Sequence, residues 1–420
     1  MTCRDLFTNI NIPFEEDVLI VLCRKKKRPV SNNYLDCCVG KYFLTIFYVK
    51  KQERVMQLFW KKIVLGREIA TLESLQFDLA TIKAATNNFS DQNKIGEGGF
   101  GEGILLDGSQ IAVKRLSKNS KQGTNEFKNE VLLIAKLQHR NLVTLIGVCL
   151  EEQENILIYE YVPNKSLDFF LFVCFTLAFL NNFVDSKQQK LLSWNERYNI
   201  IGGIAKGILY LHEHSRLKVI HRDLKPSNIL LDECMIPKIS DFGLARIVEI
   251  NQEQGSTKII VGTYGYMSPE YAMFGHFSEN FGVMILEIIS GRKNCNSYES
   301  HRVSNGLLNY VWKQWRDETL LNVLDENIKE DYSKIEVTRC IQIGLLCVEP
   351  NPDARPTMLT IVSYLSSDSI ELPMPQEPIF VLQRGMNENT NAKNSSWNQS
   401  INTSTIFSIN EMSTGEFLPR

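Results

Sequence analysis

The sequence predicts an α+β fold with a small β-rich lobe containing one helix, over about residues 90–162, and a larger helical lobe to about residue 370. A glycine-rich stretch at residues 95–101, followed by a strand-like apolar run at 111–114, indicates the first lobe. In the second lobe, apolar residues from Trp194 to His212 recur every three or four positions, as in a buried helix. The 420 residues, 44% hydrophobic and 22% charged, have an ordinary globular composition.

The small lobe begins with a glycine-rich turn, and glycine lets a backbone approach a ligand closely and adopt positive φ. The turn consists of Ile95, Gly96, Glu97, Gly98, Gly99, Phe100 and Gly101. Such turns are common, so the turn alone is a weak signal. It gains weight because Lys114 follows on a predicted strand and Glu130 follows on a helical apolar pattern. Either charge taken alone would be assigned to a solvated surface.

The most informative motif of the larger lobe is His-Arg-Asp-Leu-Lys-Pro-Ser-Asn at residues 221–228, followed by Asp-Phe-Gly at 241–243. This spacing of carboxylate, cation and oxygen ligands suits ATP-dependent phosphoryl transfer. Asp223 is the candidate base for an acceptor hydroxyl, and Lys225 would lie near the transferred group. Asn228 and Asp241 offer the hard oxygen ligands that Mg²⁺ prefers.

Taken together, these motifs resemble those of eukaryotic protein kinases. A lysine at position 225 is similar to the residue found in the serine/threonine branch of that family rather than in the tyrosine branch. The resemblance implies a two-lobed kinase fold over residues 95–370, with an N-lobe at 95–162 and a C-lobe at 163–370. It implies ATP and Mg²⁺ as cofactors and proteins with serine or threonine as substrates. Lys114 would contact the α and β phosphates and pair with Glu130.

The hinge between the lobes is expected at residues 159–162, Tyr-Glu-Tyr-Val, whose backbone amides would bind adenine. Tyr159 would occupy the gatekeeper position. The implied ATP site then combines the glycine-rich turn with the strand and the hinge: Ile95, Gly96, Glu97, Gly98, Gly99, Phe100, Gly101, Ala112, Lys114, Tyr159, Glu160 and Val162.

Residues 262–270 resemble the end of a kinase activation segment, and Glu270 is expected to form a structural ion pair with Arg355. Arg222, directly before the candidate base, implies ordering of the site by activation-loop phosphorylation. The candidate phosphoacceptors are Ser256, Thr257 and Thr263. Each of them can also be a solvated loop hydroxyl, and a structural role in the substrate-binding loop is at least as well founded for Thr263.

Residues 72–94 are similar to the juxtamembrane stretch of plant receptor-like kinases, which packs beside the N-lobe. With the Leu-Gln-His-Arg-Asn-Leu-Val run at 137–143, this stretch resembles the cysteine-rich or S-domain lectin receptor-like group. That group implies signalling at the plasma membrane by a cytosolic kinase domain, with self-association for autophosphorylation. Residues 371–420 form a tail, rich in Asn, Ser and Thr over 386–407, and are expected to be disordered.

Residues 1–71 form an irregular segment in which no complete signal peptide or membrane span is recognisable. A short apolar run precedes basic residues 24–28, but crossing a membrane requires about 20 apolar residues. The basic run could attract anionic lipid, or the segment could be a non-native start. If the chain is complete as written, a cytosolic or peripheral location is expected.

Net charge and cysteine content give no indication of other function classes. The net charge of −2 does not suggest nucleic-acid binding, and the ten cysteines lack zinc-site spacing. Cys149, Cys340 and Cys347 fit apolar core patterns instead.

Three departures from the family pattern lie inside the kinase domain. Val-Tyr-Lys is missing after Glu102, which removes the valine over the adenine ring and is expected to weaken nucleotide binding. An apolar insert occupies residues 173–184. A segment with an aspartate that anchors the catalytic loop is missing near Asn280. A shortened helix, capped by Asn280, is therefore expected to run to Ser290 and end at Gly291.

The leading interpretation is an ATP- and magnesium-dependent serine/threonine kinase, because every residue of the chemistry is present. The alternatives are a pseudokinase-like binding scaffold with impaired turnover, or a mis-spliced product of a kinase gene. The reactive residues are retained while scaffold segments are lost, which favours a gene-model error over evolved inactivity. The loss of scaffold segments also predicts little activity for the chain as written.

Overall fold

A computed structural model of the chain describes part of its length. The described residues are 75–377, apart from 97–98, 117–120, 135, 152–153, 174–190, 249–259, 264, 269–270, 272–280, 295–305 and 329–331. Most of the apolar insert, the residues before 75 and those after 377 lie outside this part. The described residues form a β-sheet lobe followed by a larger, mainly helical lobe, so the predicted α+β class is confirmed.

The N-lobe is built on one antiparallel sheet of five strands in the spatial order β1-β2-β3-β5-β4. Its strands are β1 (Lys94–Gly96), β2 (Phe100–Ile104), β3 (Gln110–Arg115), β4 (Leu145–Cys149) and β5 (Ile156–Glu160). Helix α1 (Leu79–Ala85) precedes the sheet, and helix α2 (Lys121–Ile134) connects β3 to β4. Strand β2 pairs with β3 in unbroken register, from Phe100 opposite Lys114 to Ile104 opposite Gln110.

Residues 75–77 and helix α1 cover the face of this sheet on which Ile111 lies. The Phe77 backbone N–H donates to the Val148 carbonyl over 2.9 Å, so the segment runs beside β4. A side chain at Gly147 would lie 2.4 Å from the Phe77 ring, so only glycine admits the ring there. Helix α1 then buries Ile82 in the core that contains Ile111. The expected packing of this region beside the N-lobe is confirmed.

The C-lobe combines short strands with long helices. Its strands are β6 (Asn164–Ser166), β7 (Lys218–Ile220), β8 (Ile229–Leu231), β9 (Pro237–Ile239) and β10 (Arg246–Val248). Its helices are α3 (Trp194–Leu209), α4 (Phe281–Ser290), α5 (Leu307–Arg316), α6 (Lys334–Leu346) and α7 (Met358–Ser366). Strands β6, β8 and β9 form one sheet, and β7 pairs with β10. Among the described helices, none is long and apolar enough to cross a bilayer.

Helix α3 starts where the apolar spacing predicts. Ser193 caps it, and Glu196 completes a reciprocal capping box with Ser193. The regular α-helix ends at Leu209 and continues as a wider π turn, Tyr210–His214, so the predicted extent through His212 is confirmed. Buried Arg197 donates to the Ile288 carbonyl over 2.7 Å and thereby joins α3 to α4.

Helix α4 is buried along its whole length. It approaches α6 so closely that a Cβ on Gly282 would lie 2.4 Å from the Gly344 carbonyl oxygen. As predicted, the helix reaches Ser290 and ends at Gly291, whose φ of +63° suits glycine. The proposed cap, Asn280, lies outside the described residues.

Glu287 is a fully buried carboxyl group on α4. It accepts the Tyr266 hydroxyl at 2.9 Å and the Asn294 backbone N–H at 2.7 Å. Burial disfavours the carboxylate and outweighs these hydrogen bonds, so the pKa of Glu287 is raised from 4.5 to about 7. Glu287 therefore keeps its proton in the folded protein at pH values where the unfolded chain has lost it.

The contribution of α1 to the N-lobe can be measured with Ile82→Ala. The side chain is fully buried, so its removal should lower the free energy of unfolding by about 2–5 kcal/mol. Ile335→Ala makes the same change at a residue that is 70% exposed and should cost less than about 0.5 kcal/mol. Urea unfolding of both variants gives the comparison, and equal losses would contradict the packing described for α1.

Glu287 should make stability fall as the pH rises. Between pH 4.5 and about 7 the folded protein binds more protons than the unfolded chain at this group, so its contribution to the unfolding free energy decreases with pH. The slope is at most about 1.4 kcal/mol per pH unit. Glu287→Gln should remove this contribution, so the variant should gain stability relative to the wild type between about pH 5 and about pH 8.

Urea unfolding at about pH 5 and about pH 8 measures the difference in stability between the wild type and Glu287→Gln. Glu371→Gln is the control, because it makes the same change at an exposed carboxyl. A wild-type-to-variant difference that is the same at both pH values would contradict the raised pKa.

Candidate active site

Lys114 lies at the centre of a buried cluster of charges between the two lobes. Its ammonium is 3.1 Å from Glu130 Oε2 and 2.7 Å from Asp241 Oδ1. Burial alone would lower the pKa of Lys114, but the charges of Glu130 and Asp241 outweigh it and raise that pKa. Burial likewise opposes ionisation of Asp241, yet Lys114 lowers the pKa of Asp241 below its ordinary value. The structure thus contains the ion pair expected between Lys114 and Glu130.

Glu130 on α2 also binds Tyr159 and the Asp-Phe-Gly loop. Its Oε1 accepts the Tyr159 hydroxyl at 2.5 Å and the Phe242 backbone N–H at 3.2 Å. Burial, together with the neighbouring charge of Glu130, raises the pKa of Tyr159, so the phenol stays protonated and donates. One carboxylate therefore connects helix α2, strands β3 and β5, and the loop after β9.

Asn129, next to Glu130, was not identified from the sequence. Its side-chain amide donates to the Phe242, Gly243 and Ala245 carbonyls at 3.3, 2.9 and 2.6 Å. The sequence could have indicated Asn129 as a polar residue next to Glu130 on a predicted amphipathic helix. Asn129 fixes the backbone that follows Asp241, so helix α2 positions the loop through two adjacent side chains.

Asp223, Lys225 and Thr263 form a second cluster. Lys225 Nζ is 2.9 Å from Asp223 Oδ2 and 2.9 Å from Thr263 Oγ1. The Thr263 hydroxyl donates to Asp223 Oδ1 at 2.6 Å. A hydroxyl therefore lies between a carboxylate and an ammonium, which is the arrangement in which a carboxylate can take a hydroxyl proton.

Asn228 connects this cluster to Asp241. Its side-chain amide donates to the Asp223 carbonyl at 2.8 Å and to Asp223 Oδ2 at 3.2 Å. The Ser240 backbone N–H donates to the Asn228 carbonyl at 2.8 Å, directly before Asp241 in the chain. Lys114 binds Oδ1 of Asp241, and no hydrogen bond to Oδ2 is found within the described part of the chain. The amide oxygen of Asn228 and this carboxylate oxygen form a donor set that fits Mg²⁺.

His221 and Arg222 hold the catalytic loop against its neighbours. The fully buried His221 ring packs edge-on against Phe242, with ring centres 4.9 Å apart. Arg222 adopts a φ of +68° and donates to the Leu244 carbonyl at 2.5 Å. A Cβ on Gly262 would lie 2.4 Å from the Arg222 carbonyl oxygen, so glycine is required for the activation segment to approach here.

The described part of the glycine-rich turn lies over the Lys114 cluster. Lys114 Nζ is 5.3 Å from the centre of the Phe100 ring. Gly99 has a φ of +88°, and its carbonyl accepts the Arg115 backbone N–H at 2.9 Å. Ile95 is exposed and Gly96 half-buried at the start of the turn.

At the hinge, Glu160 Oε1 accepts Lys238 Nζ at 3.0 Å and the Thr144 backbone N–H at 2.8 Å, which fixes the end of β5. Tyr159 pairs across β5 and β3 with Ala112, and Val162 follows half-buried. The strand and hinge residues expected to bind adenine are therefore close in the fold.

Several expected site residues lie outside the described residues. They are Glu97, Gly98, Ser256, Thr257 and Glu270. Arg355, the expected partner of Glu270, donates to the Glu349 carbonyl at 2.9 Å.

Comparison with known proteins gives the family. Residues 89–365 match the family model described as protein tyrosine and serine/threonine kinase. Cysteine-rich receptor-like protein kinase 4 of Arabidopsis thaliana is 51% identical over 362 residues, covering 84% of this chain and 51% of that protein. Cysteine-rich receptor-like protein kinase 5 of the same plant is 54% identical over 321 residues, covering 74% of this chain and 47% of that protein.

The chain thus spans about half the length of the curated relatives it matches. A protein kinase domain implies ATP as substrate, and Mg²⁺ usually accompanies it. The matched residues contain both charge clusters. The chain therefore belongs to the protein kinase family, and its kinase domain is of the plant cysteine-rich receptor-like type.

Proposed function

We propose that this chain transfers the γ-phosphate of ATP to serine or threonine hydroxyls of protein substrates. The observation that carries the proposal is the Asp223–Lys225 pair with a hydroxyl between them, 2.6 and 2.9 Å from the two groups. The kinase domain and its receptor-like relatives support the same activity.

Asp223 would orient the substrate hydroxyl and accept its proton as that oxygen bonds to phosphorus and the bond to ADP breaks. Lys225, which already contacts Asp223, would neutralise charge on the transferred group. Lys114 would bind the α and β phosphates, and Glu130 holds its ammonium in position. The glycine-rich turn would cover the phosphates, while backbone groups of Glu160 and Val162 would bind adenine.

Asn228 and Asp241 would hold Mg²⁺, because both offer oxygen ligands and the Ser240 backbone, next to Asp241, is hydrogen-bonded to Asn228. When bound, the ion supplies charge neutralisation for the phosphates. Lys114 shares Asp241 with this site, which keeps the carboxylate ionised.

Thr263 would act mainly as a structural residue of the substrate-binding loop, because its hydroxyl is already bonded to Asp223 and Lys225. Ser256 and Thr257 remain the proposed phosphoacceptors. Their phosphates would be read by Arg222, whose side chain reaches the segment after the Asp-Phe-Gly loop.

The whole protein would signal from the plasma membrane, since the relatives are named as receptor-like kinases. Its kinase domain would span residues 95–370 and lie in the cytosol, between the irregular segment 1–71 with juxtamembrane residues 72–94 and the tail 371–420. Self-association would bring two kinase domains together for autophosphorylation.

Asp223→Asn should lower phosphate transfer by at least about 100-fold, since it removes the proton acceptor while keeping the side-chain shape. The full chain is incubated with Mg²⁺ and saturating radiolabelled ATP, and labelled residues are identified by mass spectrometry. Asp317→Asn, the same change at an exposed position, should leave the rate unchanged. Label confined to tyrosine, or equal labelling in the Asp223 variant, would contradict the proposal.

A further inference from the structure

The roof of the nucleotide cleft carries a carboxylate. Side chains alternate between the two faces of a strand, and directly paired residues share a face. Glu102 on β2 pairs with Ala112 on β3, and Phe100 pairs with Lys114. Lys114 faces the cleft, because it binds Glu130 and Asp241. Glu102 therefore faces the cleft as well.

The opposite face of β2 is occupied by the N-terminal region, which confirms this assignment. Gly103 pairs with the buried Ile111, and a Cβ there would lie 3.1 Å from the Ala85 carbonyl of helix α1. Residues 101 and 103 thus point towards the outer layer, and residues 100 and 102 towards the nucleotide.

Glu102 lies at the hinge end of the roof. Its partner Ala112 pairs on the other side with Tyr159, and the hinge residue Tyr161 follows two positions later. Burial raises the pKa of Tyr161. The negative charge of Glu102 and its hydrogen bond with the phenol raise this pKa further. Glu102 on the roof therefore lies within reach of the hinge residue Tyr161, beside the region where the adenine ring has to enter.

A carboxylate is poorly suited to this position. The faces of a purine base are apolar and electron-rich, so they are best covered by apolar side chains. A carboxylate placed over such a face loses hydration without gaining a cation. Lys114, the cation on the same face, is already held by two carboxylates. Base binding must therefore displace Glu102 from Tyr161 or bury its charge.

We propose that Glu102 and Tyr161 form a roof-to-hinge latch that competes with the purine base, and that Glu102 sets the nucleotide affinity of this chain. The ligand class is a purine nucleoside or nucleotide. The inference rests on the proposed function, because it concerns the same ATP site. Opening of the latch precedes or accompanies nucleotide binding, and the phosphate-binding residues are unaffected by it.

The test is the dissociation constant of the full chain for adenosine and for Mg²⁺-ADP, measured by calorimetry. Glu102→Val replaces the carboxylate with an apolar, strand-compatible side chain and should lower both constants by about tenfold. Adenosine is informative because it lacks phosphates. An equal gain for both ligands locates the effect at the base, whereas a gain for ADP alone would show charge repulsion and overturn the latch.

Two further variants separate the latch from other effects. Asp107→Asn removes a negative charge from the exposed turn of the same hairpin and should leave both constants unchanged. Tyr161→Phe removes the partner hydroxyl, so Glu102→Val should give a smaller gain in that background than in the wild type. Strictly additive effects would overturn the contact between the two residues.

Glu102→Gln provides a nearly isosteric variant if the valine variant does not fold, and it should also lower both constants. Unchanged constants in the folded variants would overturn the latch, even if phosphorylation remains dependent on Asp223. Tighter binding without any phosphate transfer would uphold the latch and overturn the proposed activity.

Discussion

A single buried carboxylate organises the site. Glu130 is 1% exposed and connects Lys114, the Tyr159 hydroxyl and the Phe242 backbone. A carboxylate in this environment is stable only when its oxygens are bonded, so the three partners come together or not at all. The positions of helix α2, the hinge strand and the Asp-Phe-Gly loop are therefore coupled. Asn129 strengthens this coupling by binding the same loop from the adjacent position on α2.

Residues 221–228 are joined to the rest of the C-lobe by several contacts. Asn228, Ser240 and His221 join strand β8 to the end of β9 through hydrogen bonds, and Phe242 packs on His221. Elsewhere in the C-lobe, helix α4 is short and entirely buried. Glycine at its contact with α6 lets the two helices approach closely enough to fill the space between them.

The fold class and the Lys114–Glu130 pair could be predicted from motifs that are read directly in the sequence. The end of α4 could be predicted because Gly291 is a local signal for a helix end. The sequence did not reveal the partners of Asn129, since one helical amide reaching three carbonyls depends on where a distant loop lies. The position of Glu102 was also hidden, because strand register decides which side chain faces the cleft. Whether the loss of Val-Tyr-Lys weakens nucleotide binding stays a prediction.

The attachment of residues 75–77 to β4 has a mechanical consequence. The Leu75 carbonyl and the Phe77 N–H are both bonded to Val148, and Gly147 provides the space for the Phe77 ring. The packed part of the N-lobe therefore begins before residue 89, where the family match starts. A force or torque on the chain preceding Leu75 would enter the sheet through β4 and pass to its neighbour β5, which ends at the hinge.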